Sequence, residues 1–129
     1  MFDWKKPTVQ MLGRWQPWHA GHQELFKRCV AKTGQVLIQV RDVQGVSGGI
    51  DQDDNPYGFT EICAEIEKSL KRDGYIRNVD YELMLVPNIV NISYGRKVGY
   101  VVEEEFFGED VAMISATQIR KELRIQGKL

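Results

Sequence analysis

Residues 8–32 read TVQMLGRWQPWHAGHQELFKRCVAK, and a change of period inside this stretch decides the fold class. Thr8–Gly13 is a short, largely apolar run between a proline and a glycine, the pattern of a buried strand. From Ala20 to Lys32, Leu25, Phe26, Cys29 and Val30 recur at helical spacing and make an amphipathic helix. Gly34 follows where a left-handed C-terminal residue is expected. A strand that leads into a helix opens a β-α-β unit, whose strands are parallel and whose crossover is right-handed.

Working outward, Gln35–Arg41 (QVLIQVR) reads as a second strand, rich in β-branched residues. A long polar loop follows over Asp42–Asn55, carrying Gly45, Gly48, Gly49, Asp51, Asp53 and Asp54. Loops of that length in compact domains are usually functional or mobile. Asn55-Pro56 reads as an N-cap with proline at the first helical position. Phe59, Ile62, Cys63, Ile66 and Leu70 then mark a second helix, which runs to Lys71 and closes at Gly74. Tyr81–Val86 is a third strand ended by Pro87. The alternating Ile89–Tyr94 and the run Gly99–Glu103 suggest a fourth and a fifth, and Gln118–Arg124 a final short helix. The expectation is an α/β fold: one Rossmann-like, three-layer domain spanning residues 1–129, with a mainly parallel five-stranded sheet. Such sheets bind ligands beyond the carboxyl ends of their strands.

The bulk numbers agree with one folded unit. The chain has 129 residues, 43% of them hydrophobic, which is enough to bury a core without disulfides or metal. The net charge of -1 supplies no basic field, so nucleic acid is not an expected partner. No apolar run is long enough to cross a bilayer, and Met1–Pro7 lacks the apolar centre of a signal peptide. Cys29 and Cys63 sit inside apolar helical patterns and read as reduced core residues, so a cytoplasmic address is expected.

Two segments carry chemistry. Gly13–His22 bridges the first strand and helix, where α/β folds place an anion-binding turn. His19 and His22 lie three apart, share a helix face, and stand at the positive end of the helix dipole. Imidazoles there can donate to phosphate oxygens. The competing structural reading is that each caps the turn. Gly21 between them costs about 1 kcal/mol against alanine, a cost that makes sense if a ligand lies against bare backbone. A zinc site from the two histidines and a cysteine lacks the paired spacing such sites need. Trp15 and Trp18 are suited to stacking on a base or to filling the core. The second segment is Ile114–Lys121, where Ser115 or Thr117 can cap the last helix. Arg120 and Lys121 fall in its first turn, where the dipole disfavours cations; a bound anion would resolve the mismatch.

Together these segments resemble a known family. Gly13–His22 resembles the GRFQPFHxGH signature of the cytidylyltransferase-like nucleotidyltransferases, and Ile114–Arg120 resembles their ISxTxIR signature. The opening Gly13-Arg14-Trp15-Gln16-Pro17 is closest to adenylyl-transferring members such as archaeal-type nicotinamide mononucleotide adenylyltransferases; cytidylyl-transferring members usually begin Gly-Thr-Phe-Asp. Asp54-Asn55-Pro56-Tyr57 also resembles the Glu-Asn-Pro-Phe of the archaeal enzymes. Two departures stand out: Ile62 replaces a basic residue, and Tyr94-Gly95-Arg96 stands where an Asn-rich acceptor segment would be.

The resemblance implies an enzyme that transfers a nucleoside monophosphate, AMP rather than CMP, from a triphosphate to a small phosphorylated acceptor, with release of pyrophosphate. It implies His19, His22 and Arg120 as catalytic residues. It implies Gly13, Arg14, Trp15, Gln16, Gly21, Ser115 and Thr117 around the nucleotide, and magnesium carried by the triphosphate with no dedicated protein metal site. Arg41, Asp42 and Arg96, at predicted strand ends, are candidates for the acceptor. The alternatives are a cytidylyltransferase using CTP on a phosphorylated alcohol or sugar, and a non-catalytic nucleotide-binding protein. Members of the superfamily are commonly oligomers, so a homo-oligomer fits the resemblance.

Overall fold

The computed structural model describes residues 1–46, 54–96, 99–105 and 116–129. Three strands, β1 (Val9–Gly13), β2 (Val36–Arg41) and β3 (Tyr81–Val86), form a parallel sheet in the order β1-β2-β3. Val9 lies opposite Val36, and Val36 opposite Tyr81, so the three carboxyl ends come out together. The connections are helices α1 (Ala20–Thr33) and α2 (Phe59–Arg72); α3 (Ala116–Ile125) follows later in the chain.

Alternation along the strands sends Met11, Val36, Ile38, Val40, Tyr81 and Leu83 to one face. There they form a single core with Phe26 and Cys29 of α1 and Ile62, Ile66 and Leu70 of α2. Gln10, Leu12, Leu37, Gln39, Glu82 and Met84 alternate to the other face and are half-buried or exposed. Phe26 sits at the centre of the core, fully buried, its ring edge-on to Tyr75 at 4.9 Å and to Tyr81 at 5.7 Å. α1 ends as its sequence requires: Gly34 takes φ 89° and its N–H returns to the Val30 carbonyl.

Several boundaries differ from the sequence expectation. α2 begins at Phe59 with Gly58 as cap, not at Pro56, because the Gln16 side chain holds both backbone groups of Tyr57 and Asn55 turns its side chain to the Val46 carbonyl. α1 begins at Ala20 as expected, with extended His19 as its cap; the Gln16-Pro17 bond before it is cis. The strands expected over 89–94 and 99–103 are not formed. Period-two alternation signals a strand only where a neighbouring edge takes it up. Here Val90, Ile92 and Tyr94 are exposed, and the later segment is held by charge on α1, with Lys32 meeting Glu103 and Glu105 and Arg28 meeting Glu105. What is established is therefore an α/β fold with a three-stranded parallel sheet among the described residues. Ala112–Ile114, expected to lead into the last helix, lie outside them, as do Gly48, Gly49, Asp51 and Asp53 of the long loop. No described helix is long and apolar enough to cross a membrane.

Phe26→Ala removes a fully buried ring of α1 that meets Tyr75 and Tyr81 edge-on in the shared core. It is expected to lower unfolding free energy by about 3–5 kcal/mol in urea denaturation; a loss below about 1 kcal/mol would show that α1 and α2 do not share this core.

Candidate functional site

The loop between β1 and α1 is shaped by its own buried aromatic residues. Trp15 takes a left-handed backbone conformation, φ 53°, and turns its ring back over Gly13. A Cβ on Gly13 would fall within 2.7 Å of that ring, so glycine is required there by close approach of Trp15. The Trp15 indole N–H donates to the Gln39 carbonyl at 3.0 Å, and only 5% of the residue is exposed. Trp18 is 8% exposed and packs 5.2 Å from Trp15. Both rings belong to the core. Stacking on a base is therefore not a role their side chains are placed to take, and the main chain is what this turn offers.

At the end of the turn the two histidines cap α1 reciprocally. The Gly21 N–H donates to His19 Nδ1 at 3.0 Å, and the His19 N–H donates to His22 Nδ1 at 3.2 Å. The imidazoles stack with centroids 3.6 Å apart and planes 20° from parallel. With each Nδ1 accepting, a neutral ring carries its proton on Nε2, so both rings keep one N–H donor apiece beyond the cap. Burial holds both side chains neutral: it lowers the His19 value, and it carries His22, with His19 beside it, down to about 3. The structural and functional readings of the histidines are thus compatible, because each uses a different nitrogen.

A second junction ties three segments to this turn. Gln16 is buried, and its amide donates to the Tyr57 carbonyl and accepts from the Tyr57 N–H, both at 2.9 Å. Asn55, also buried, accepts weakly from Arg14 Nη1 at 3.4 Å and donates to the Val46 carbonyl. α3 starts at Ala116, earlier than the sequence expectation required, so Arg120 and Lys121 are its fifth and sixth residues and lie past the first turn, where the dipole mismatch expected of them does not arise. Arg120 is 2% exposed. Its Nη1 donates to the Gln16 carbonyl at 2.6 Å, its Nη2 to Thr117 Oγ1 at 3.3 Å, and Asp54 lies 3.6 Å away. Its Nε has no hydrogen-bond partner among the described residues. Burial pushes the guanidinium below its ordinary value, with Asp54 opposing.

The sequence-expected residues thus fall into three groups. Gly13, Trp15, Gln16, Gly21, His19, His22, Thr117 and Arg120 are brought to the carboxyl end of β1, with Arg14 exposed beside them. Arg41 lies apart, at the end of β2, where it donates to Asn88 Oδ1 at 2.7 Å and borders a cavity with Leu12, Ile89 and Ile92. Asp42 and Arg96 are exposed, and Ser115 lies outside the described residues. Sequence reasoning missed the clamps made by Gln16, Asn55 and Asp54. Their polar side chains sit inside or beside the motifs, but nothing in their spacing shows that they bond across the chain.

Compared with known proteins, the chain matches no family model and no curated protein sequence. Both cysteines are free. Among the described residues no group of three or more His, Cys, Asp or Glu side chains gathers as a metal cage would.

The folded value of His22 lies far below its ordinary 6.5, so the unfolded chain binds the proton first as pH falls. Stability is then full above the unfolded value and declines from about pH 6.5 downward, at up to about 1.4 kcal/mol per pH unit. His22→Asn keeps an acceptor for the His19 N–H and removes the titrating ring. Urea denaturation at pH 7.5, 6.0 and 5.0 should show a steep decline for the wild type and a flatter one for the variant. Equal slopes would mean that His22 is protonated in the fold.

Proposed function

We propose that this chain is a nucleotidyltransferase that moves a nucleoside monophosphate, AMP in preference to CMP, from a triphosphate to a small phosphate-bearing acceptor and releases pyrophosphate. The observation that carries the reading is the imidazole pair: two neutral rings, stacked at a helix N-terminus, whose Nδ1 atoms close the cap and whose Nε2–H groups remain as donors. Two neutral donors at the positive end of a dipole suit a polyphosphate, and they suit the charge that grows on the α-phosphoryl oxygens during in-line displacement. The parallel strands with their connecting helices support an α/β domain of the Rossmann-like kind the motifs resemble; the expected third layer is not seen among the described residues, where α1 and α2 share one face of the sheet.

In this reading an acceptor phosphate oxygen attacks the α-phosphorus, the bond to the bridging oxygen breaks, and pyrophosphate leaves with that oxygen's electron pair. No covalent enzyme intermediate is needed; positioning and charge neutralisation do the chemistry. His19 and His22 hold the triphosphate through Nε2. Arg120, a buried cation whose Nε has no partner among the described residues, supports binding of the β- and γ-phosphates alongside Thr117 and Ser115. These groups are donors, so they meet phosphate oxygens and leave the metal to water and phosphate. That fits magnesium carried by the nucleotide, which neutralises the triphosphate when bound. Arg41, whose Nε is buried without a partner among the described residues, supports an anionic acceptor at the end of β2. Free thiols and the absence of a membrane-crossing helix among the described residues support a cytoplasmic address.

His19→Asn and His22→Asn separate the two uses of the histidines, because asparagine is a good cap and its Oδ1 takes the place of Nδ1. Each is expected to stay folded and to slow pyrophosphate release from ATP with magnesium by about 100-fold or more. Thermal shift with ATP and with CTP names the donor, and a larger effect of CTP would favour the cytidylyl reading. A nucleotide-dependent shift without pyrophosphate release across phosphorylated acceptors would favour a binding protein. Wild-type turnover in either asparagine variant would remove the imidazoles from the mechanism.

A further inference from the structure

Gln23 follows the histidine pair directly and belongs to no motif, yet its side chain makes four hydrogen bonds. Its Oε1 accepts from the Trp18 indole N–H at 2.7 Å and from Ser69 Oγ at 3.0 Å. Its Nε2 donates to the Ser69 carbonyl at 2.9 Å and to Asp73 Oδ2 at 2.8 Å. That is the full complement of an amide, two acceptances and two donations, and turning the amide over would break all four. Ser69 lies in the last turn of α2 and Asp73 just beyond it, so Gln23 ties the start of α1 to the end of α2.

The ring of His22 is packed by three others. His19 stacks on it at 3.6 Å, Trp15 meets it edge-on at 4.8 Å, and Trp18 lies 5.5 Å away. Trp15 is anchored to the sheet through Gln39 of β2, whereas the hydrogen bond that fixes the Trp18 indole comes from Gln23. One wall of the histidine pocket is therefore held by the sheet and the other by α2. We infer that Gln23 is a positioning residue for the His19–His22 pair, acting through Trp18 to fix the orientation of the two imidazoles. The inference rests on the proposed transferase reading for its catalytic consequence, but its structural content is independent of turnover. Donors aimed at a developing charge lose effect steeply with small misplacement, so the clasp matters to the chemical step more than to nucleotide binding.

The test uses Gln23→Leu, Trp18→Phe, which keeps an aromatic ring and removes the indole N–H, and the double variant. Nitrogen NMR of the histidine rings reports tautomer and titration, and steady-state pyrophosphate release reports kcat and KM. In both single variants the Nε2–H tautomer is expected to weaken and the His22 titration to rise by about one pH unit or more. The value of kcat should fall by about 10- to 100-fold, with KM for the triphosphate within about twofold. The double variant should match the singles instead of adding their effects. Should Gln23→Leu fail to fold, Trp18→Phe carries the same expectations. Unchanged ring signals and titration in a folded variant, or additive effects in the double, would overturn the inference. Altered imidazoles in a protein whose wild type releases no pyrophosphate would uphold the positioning role and defeat the transferase reading alone.

Discussion

The reciprocal cap of His19 and His22 is the interaction on which the carboxyl end of the sheet depends. An α-helix leaves its first N–H groups without partners inside the helix, and here one histidine ring serves Gly21 while the other reaches back to the cap residue itself. The same two bonds hold His19 extended, so that the chain leaves the left-handed turn at Trp15 and enters α1 at Ala20. They also bring His22 against the tryptophans, which carry the turn into the core below. Helix start, loop path and ring orientation are thus one arrangement.

Around that arrangement the polar groups are buried, and their cost explains how they are used. A buried amide is tolerable when its hydrogen bonds are made, and Gln16 makes its pair to the backbone of Tyr57. Arg120 is different. Among the described residues it is held by a carbonyl and a hydroxyl, Asp54 stands at 3.6 Å and is 22% exposed, and its Nε is unpartnered. Arg120 is a structural strut, since it ties α3 to the Gln16 carbonyl. Arg120 is therefore a poor residue for separating function from folding, and the exposed Thr117 on the same turn is the better probe of α3.

Much of this was legible in the sequence because it follows from period. The runs at Val9–Gly13, Val36–Arg41 and Tyr81–Val86 carried their own strand signal, and α1 and α2 were visible from residues three and four apart. The histidine pair was visible as a pair. The expected fourth and fifth strands were not formed, since alternation at Val90, Ile92 and Tyr94 records local composition and says nothing about whether an edge is present to receive it. The start of α2 was misplaced because Asn55-Pro56 satisfies every local rule for a helix entrance, while the deciding contact comes from Gln16, 41 residues away. Gln23 shows the same limit: its partners lie 46 and 50 residues along the chain. No local pattern encodes a side chain that bonds across that distance.

Why should histidines, rather than serine or aspartate, close this helix? For the helix alone the common caps would serve as well or better. Aspartate would place a negative charge where the dipole welcomes it, but it would also repel any anionic ligand and has no proton to offer. Serine would cap and donate too little reach. A pair of imidazoles can accept from the backbone with one nitrogen and donate outward with the other, provided that both stay neutral. Burial favours that condition for both rings, for His22 against Trp15 and Trp18, at the expense of stability in acid. The aromatic turn that seemed from sequence to be either a base-stacking platform or core is part of the core, and it packs His22 in surroundings that disfavour the charged ring.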